Sequence, residues 1–309
     1  MKLVFFGTPG FAVPTLNTLY ESPHDVLGVV TSPDQKSGRG LKIQSSSVKK
    51  SAENFGIPIF EPEELNCDEF ISTIKQINPD IYVVVAYKIL PESILTIPAR
   101  GAVNLHASLL PKYRGAAPVH HAILNGESQS GLTTFLIQNK VDTGDILLQK
   151  TFYIDSSTTT GEALEKLSYI GADLITETLN GLSNNTITSI KQDNKSATFA
   201  PKIKIEDCKI DWNNSAENIH NQIRAFTPNP GAFTLYKNKR VKLFGSKIEN
   251  IMEDIETHPG YINYKAPKLL IGTGTKPINI DDIQVEGKKR LQASQFILGT
   301  PEIIGGNFH

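Results

Sequence analysis

Asn104 and His106 alternate in "GAVNLHASLLPKYRG", an apolar run that closes on a sharp Ser-Leu-Leu-Pro turn. On a β-strand, residues two apart point the same way, so the amide and the imidazole share one face while Val103 and Leu105 take the other. One reading is a buried polar pair whose hydrogen bonds are satisfied inside the protein. The other is a reaction centre, and "VDTGDIL" supplies a third part for it: Asp142, in a tight acidic turn just before the next strand. Asp142 or Asp145 alone would read as a turn or cap residue. Together, an amide, an imidazole and a carboxylate are the working parts of acyl transfer without a protein nucleophile. The amide donates to an oxyanion, the carboxylate holds the imidazole and favours its charged form, and the imidazole handles protons. No serine or cysteine is set up here to attack.

Such side chains need a scaffold, and the chain alternates in a way that builds one. "KLVFFG", "VLGVVTS", "DIYVVVAY", "GAVNLHAS", "GLTTFLIQ" and "DILLQKTFYI" read as strands. Between and after them lie helical patterns from Ala12 to about Glu21, Ser47 to Phe55, "DEFISTIKQI", "APVHHAIL", and about Thr160 to Leu179. The alternation predicts an α/β fold, a Rossmann-like, doubly wound and mostly parallel sheet with helices on both faces. Ligands of such sheets sit at the carboxyl ends of the strands, where Asn104 and His106 lie. The Asn-, Ser- and Lys-rich stretch that follows reads as a surface linker. After it come short alternating runs cut by Gly, Asn-Lys and Pro turns, the pattern of a small β-barrel. The expected divisions are 1–190, a linker over 191–207, and 208–309.

Composition narrows the class. The 309 residues are 39% hydrophobic and 20% charged with a net charge of −1, which argues against disorder and against wholesale coating of nucleic acid. No apolar run approaches the roughly 20 residues that span a bilayer, and "MKLVFFGTPG" reads as a strand rather than a signal peptide, so a cytoplasmic protein without a membrane is expected. Cys67 and Cys208 share no metal or disulfide spacing and are expected to be two reduced, inert thiols. His120 and His121, adjacent on a helix, face different directions and make a poor metal pair. A modest positive excess falls after about residue 190.

Other stretches are ambiguous alone. "GTPGF" is a glycine-rich strand-to-helix turn but matches neither common phosphate-binding fingerprint, so a tight turn beside the pocket is the expectation. "SLLPKYRG" and "AYKILP" could wall a flat heterocycle or plug the core. The Gly-flanked basic loop "SPDQKSGRGLK" could be a solvated loop or an arm that orders on a polyanion, with Arg39 and Lys42 reaching phosphates.

Taken together, "FFGTPGFAVPTL", "PDQKSGRG", "NLHASLLPKYRGAAPV", "VDTGDIL" and "IRAFTPNPGAF" resemble, in order and over nearly the whole chain, the formyltransferases that use 10-formyltetrahydrofolate. N-x-H-x-S-L-L-P with a downstream D-T-G-D marks the wider group. The GRG loop and the tail after "IDW" narrow the resemblance to the methionyl-tRNA branch. The chain departs from that pattern at "SSSVKK", which lacks the proline often seen before Val-Lys. The resemblance implies transfer of a formyl group from 10-formyltetrahydrofolate to the α-amino group of methionine on initiator tRNA, without a metal. It implies Asn104, His106 and Asp142 as the catalytic set, with Ser108, Leu109, Leu110 and Pro111 lining the folate site and the backbone of Lys88, Ile89 and Leu90 meeting the pterin. It also places Arg39 and Lys42 at the tRNA and gives the tail an OB-like barrel that holds the tRNA backbone. A monomer is expected. The rival readings are formylation of a small amine such as an amino sugar nucleotide or a glycinamide ribotide, hydrolysis of formyltetrahydrofolate, and an RNA-binding module on a retired catalytic scaffold. The long basic-leaning tail speaks against the first, and the intact set of three against the last.

Overall fold

The computed structural model describes residues 1–37, 42–250 and 258–309. In its first strand, β1 (Lys2–Gly7), Leu3 to Phe6 are fully buried, as an inner strand covered on both faces requires. The chain then turns tightly. A Cβ added at Gly7 would come within 2.8 Å of the Phe5 ring and 3.1 Å of the Val85 carbonyl, so "GTPGF" needs glycine there for close packing. Pro14 opens α1 (Val13–Glu21), where its missing N–H costs nothing.

β2 (Asp25–Val30) follows, then a short antiparallel pair, β3 (Gln35–Ser37) and β4 (Lys42–Gln44), in the stretch read above as a solvated loop or an arm that orders on a polyanion. Arg39 lies outside the described residues, and of Lys42 only the backbone in β4 is described. Next come α2 (Ser47–Phe55), β5 (Ile59–Phe60), α3 (Asp68–Ile77) and β6 (Ile81–Val85), a strand buried throughout. The Ser46 hydroxyl caps α2 by accepting from the Lys49 N–H, and Gly56 ends it with a left-handed φ of 65°. There follow α4 (Glu92–Leu95), β7 (Ala102–His106), α5 (Pro118–Leu124), β8 (Gln129–Leu136), β9 (Ile146–Tyr153) and α6 (Thr160–Ser183).

These strands form a seven-stranded sheet in the order β5-β2-β1-β6-β7-β8-β9. The first five are parallel, and β8 runs antiparallel to β7. Strand order reverses between β1 and β6, so the crevice such a sheet offers a ligand opens at the carboxyl ends of β1, β6 and β7. The fold is thus the Rossmann-like, mostly parallel sheet expected, with an antiparallel edge.

The chain divides into two compact units, and not at a single cut. The first holds 1–118, 130–153 and 164–199; the second holds 119–129, 154–163 and 200–309. Residues 191–199 therefore belong to the first unit and 200–207 to the second. In the second unit, α7 (Ala216–Ala225) precedes β10 (Ala232–Tyr236), β11 (Lys239–Ile248), β12 (Ile262–Lys265), β13 (Lys268–Ile271), β14 (Ile278–Val285), β15 (Leu291–Gln292) and α8 (Ala293–Gly299). The antiparallel sheet runs β10-β11-β14-β13-β12, with β15 on β14. Its two edges meet the C-terminal tail. Ile262 and Gly260 pair with 305–308 on one side, and Leu235 exchanges two hydrogen bonds with His309 on the other. The tail thus bridges the two edge strands and closes the sheet into a small barrel.

Arg224 ties the sequence-distant pieces of this unit together. Its buried guanidinium donates to the carbonyls of Asp155 at 3.3 Å, Thr158 at 3.2 Å and Ile123 at 3.5 Å, and to the Asn221 amide oxygen at 3.0 Å. Replacing it removes all four of these hydrogen bonds, so Arg224→Met should lower stability by about 2–4 kcal/mol. Urea unfolding of the full chain measures this; a loss under about 0.5 kcal/mol would contradict the tie. Both cysteines are free, and burial pushes the Cys208 thiol up to about 11. None of the helices among the described residues is long and apolar enough to cross a membrane.

Candidate functional site

His106 is the last residue of β7, set opposite Thr133 of β8. Its ring is buried, with Nε2 2.9 Å from the Tyr113 carbonyl oxygen. A carbonyl can only accept, so Nε2 carries the proton and Nδ1 is the nitrogen that faces Asp142. Nδ1 stands 3.7 Å from Oδ2 of Asp142. That oxygen also accepts the Gly115 N–H at 2.7 Å, which leaves Oδ1 with no protein partner among the described residues. Asn104, two residues before His106 on the same face of β7, is half-buried, and its amide takes no hydrogen-bond partner among the described residues. A polar side chain in the sheet with unspent donors is what the buried-pair reading does not produce. The structure brings His106 and Asp142 together and puts Asn104 one step along the strand.

Local backbone conformation sets this geometry. Ala86, Tyr113 and Asp142 all lie in the left-handed region, with φ of 50°, 60° and 53°. Each costs on the order of 1–2 kcal/mol in a residue with a side chain, and such strain collects where a site needs it. Tyr113 aims its carbonyl at His106. Asp142 presents its carboxylate from a turn that only glycine could finish: a Cβ on Gly144 would lie on the Leu136 carbonyl.

The Ser-Leu-Leu-Pro turn is held from beneath. Thr133 Oγ1 donates to the Ser108 carbonyl at 2.7 Å and accepts from the Leu110 N–H at 3.0 Å. Gln149 Nε2 reaches the Leu110 carbonyl and Thr133 Oγ1, both at 2.9 Å. Ser108 is fully buried with its hydroxyl given to the Lys112 carbonyl, and Leu110 is buried as well. Both side chains lie within the turn, whereas Leu109 and Pro111 stay partly exposed. Across the crevice, the loop after β6 shows the same division. The Leu90 side chain belongs to the core around Phe6 and Tyr82, whereas Ile89 is 75% exposed and Lys88 is exposed. The backbone groups of 88–90 make no backbone hydrogen bond among the described residues, so their donors and acceptors are available to the edge of a flat ring.

Sequence reasoning missed Tyr113, Gly115, Thr133, Gln149, Arg114 and Gln192, all of which hold these groups in place. Only Gly115 left a signal, as the glycine of "YRG", and its φ of 125° explains it.

An amide, an imidazole and a carboxylate at the carboxyl end of a strand, on a sheet of this order, suit a group-transfer enzyme. The sequence comparisons agree. The formyl transferase family model matches residues 1–179, and the formyl transferase C-terminal domain model matches 202–301. The chain is 42% identical over 301 residues to the methionyl-tRNA formyltransferase of Caldanaerobacter subterraneus subsp. tengcongensis, covering 97% of each. It is 44% identical over 298 residues to that of Thermodesulfovibrio yellowstonii, covering 96% of this chain and 95% of the relative. Among solved structures it is similar in fold to WlaRD, a sugar 3N-formyl transferase, with a TM-score of 0.70 at 23% identity over 94% of this chain and 99% of that one. It is also similar to HypX from Aquifex aeolicus in complex with tetrahydrofolic acid, with a TM-score of 0.65 at 16% identity over 96% of this chain and 47% of that one. This chain belongs to the methionyl-tRNA formyltransferase family.

Proposed function

We propose that the chain moves a formyl group from 10-formyltetrahydrofolate to the α-amino group of methionine on initiator tRNA, with Asn104, His106 and Asp142 as its catalytic residues. The observation that carries this is the unspent amide of Asn104 on the same strand face as an imidazole paired with a carboxylate at 3.7 Å. The acceptor amine attacks the formyl carbon, and the carbonyl oxygen takes the electron pair. Asn104 Nδ2–H and, on the protonated ring, His106 Nδ1–H are placed to donate to that oxygen. The nitrogen that attacked must lose a proton and the folate nitrogen must gain one as its bond to carbon breaks. Asp142 Oδ1, with no protein donor among the described residues, accepts the first directly or through a water, and His106 or a water it holds delivers the second. The loops fit the donor: the backbone of Lys88, Ile89 and Leu90 offers edge hydrogen bonds, and exposed Ile89 with Leu109 and Pro111 offers apolar walls.

For the acceptor, Arg39 and Lys42 are proposed to meet the tRNA, and the second unit to hold its backbone. Lys237, Lys239, Lys288 and Lys289 crowd one apolar-floored cavity of that unit, a surface that suits a polyanion. A transfer assay with 10-formyltetrahydrofolate tests the reading, offering methionyl-initiator tRNA beside a panel of amino sugar nucleotides. The tRNA should be formylated, and its affinity should fall about tenfold or more between 50 and 200 mM salt as phosphate contacts release counterions. Formylation of an amino sugar alone, or affinity for tRNA indifferent to salt, would favour the small-amine reading.

A further inference from the structure

Asp142 is presented by a turn that a side chain from 50 residues further along the chain braces. Two of its carbonyls, those of Asp142 at 3.0 Å and Gly144 at 2.7 Å, accept from one amide nitrogen, Nε2 of Gln192. The opposite end of that amide is fixed as firmly. Gln192 Oε1 accepts from Arg114 Nε at 3.1 Å and Nη2 at 2.7 Å, and Nη2 also donates to Asn194 Oδ1 at 2.9 Å. A guanidinium can only donate, so the oxygen must face Arg114 and the two N–H groups must face the turn. Arg114 is 6% exposed and Gln192 5%, so water does not substitute for either.

The same short segment grips the other half of the site. Thr198 accepts the Arg114 N–H on its carbonyl and the Tyr113 N–H on its hydroxyl, both at 2.9 Å. Tyr113 offers the carbonyl that holds His106, and Gly115 offers the N–H that holds Asp142. Residues 192–198 thus reach both partners of the 3.7 Å pair: Gln192 bonds the Asp142 carbonyl directly, and Thr198 reaches His106 through Tyr113.

We propose that Gln192, oriented by Arg114, is a positioning residue that sets where the Asp142 carboxylate stands relative to His106. This rests on the function proposed above. Misplacing a catalytic group by about 1 Å can cost up to 10²-fold, so Gln192→Leu should lower kcat roughly tenfold to a hundredfold while KM for the formyl donor stays within about twofold. Gln192→Glu keeps the size and the acceptors for Arg114 but offers no donor to the turn, and it should show the same loss even if the leucine variant fails to fold.

The deciding readout is coupling to the carboxylate, measured by single-turnover formylation of methionyl-initiator tRNA. In an Asp142→Asn background either Gln192 substitution should cost no more than about twofold, because the group it positions is already gone. A folded Gln192→Glu protein with wild-type kcat, or an equal loss in both backgrounds, would overturn the proposal. If Asp142→Asn itself leaves turnover untouched, the catalytic assignment fails instead, which separates the two ideas.

Discussion

His106→Ala should lower kcat at least about a hundredfold while the protein still folds. In the mechanism proposed above the imidazole delivers the proton to the leaving folate nitrogen and donates to the developing oxyanion, contributions each worth about 10² or more in rate. The ring is buried at the end of β7 and Nε2 donates to the Tyr113 carbonyl, so its removal also costs a buried hydrogen bond. A stability cost of about 1–2 kcal/mol is therefore expected alongside the kinetic loss. The two effects separate in His106→Gln, whose amide can still donate to Tyr113 but cannot shuttle a proton. That variant should recover the stability and none of the turnover. Steady-state formylation paired with urea unfolding reads both. Wild-type-like turnover in the alanine variant would remove His106 from the reaction.

The parts of this molecule that sequence reveals are those with a local period. β1 and β6 announce themselves as unbroken apolar runs, and α3 falls on "DEFISTIKQI" to the residue. Asn104 and His106 were legible for the same reason, since a two-residue spacing on a strand fixes a shared face whatever surrounds it. What holds them was not. Gln192 sits in a stretch whose composition reads as a solvated linker, yet its side chain bonds 48 and 50 residues back along the chain, and Arg114 lies 78 residues from it. Side-chain to backbone bonds over such separations leave no periodicity behind. The bond from the Ser108 hydroxyl to the Lys112 carbonyl was hidden too, since its place in the motif does not reveal how the tight turn is held. The closure of the barrel by residues 305–309 was equally hidden, because two hydrogen bonds between Leu235 and His309 depend on where both ends of the unit arrive.

Asn104→Ala gives the cleaner test of the site, because the native fold asks nothing of this amide. Among the described residues it donates to and accepts from no other group, and it is half-buried on β7 between Val84 of β6 and Phe135 of β8. Its loss should therefore change stability by less than about 1 kcal/mol, the range of a substitution that breaks no buried interaction. If its role is to donate to the oxyanion, kcat should nonetheless fall about 10²–10³-fold with little change in KM, because that donor acts on charge present only in the transition state. Asn104→Asp should be worse than alanine, since it puts a negative charge where negative charge must develop. Combined with His106→Ala, the loss should be smaller than the product of the two single losses, as expected of donors that share one oxygen. A large drop in stability without a drop in kcat would return Asn104 to the buried-pair reading, and a product of losses that simply multiplies would mean the two side chains serve different atoms.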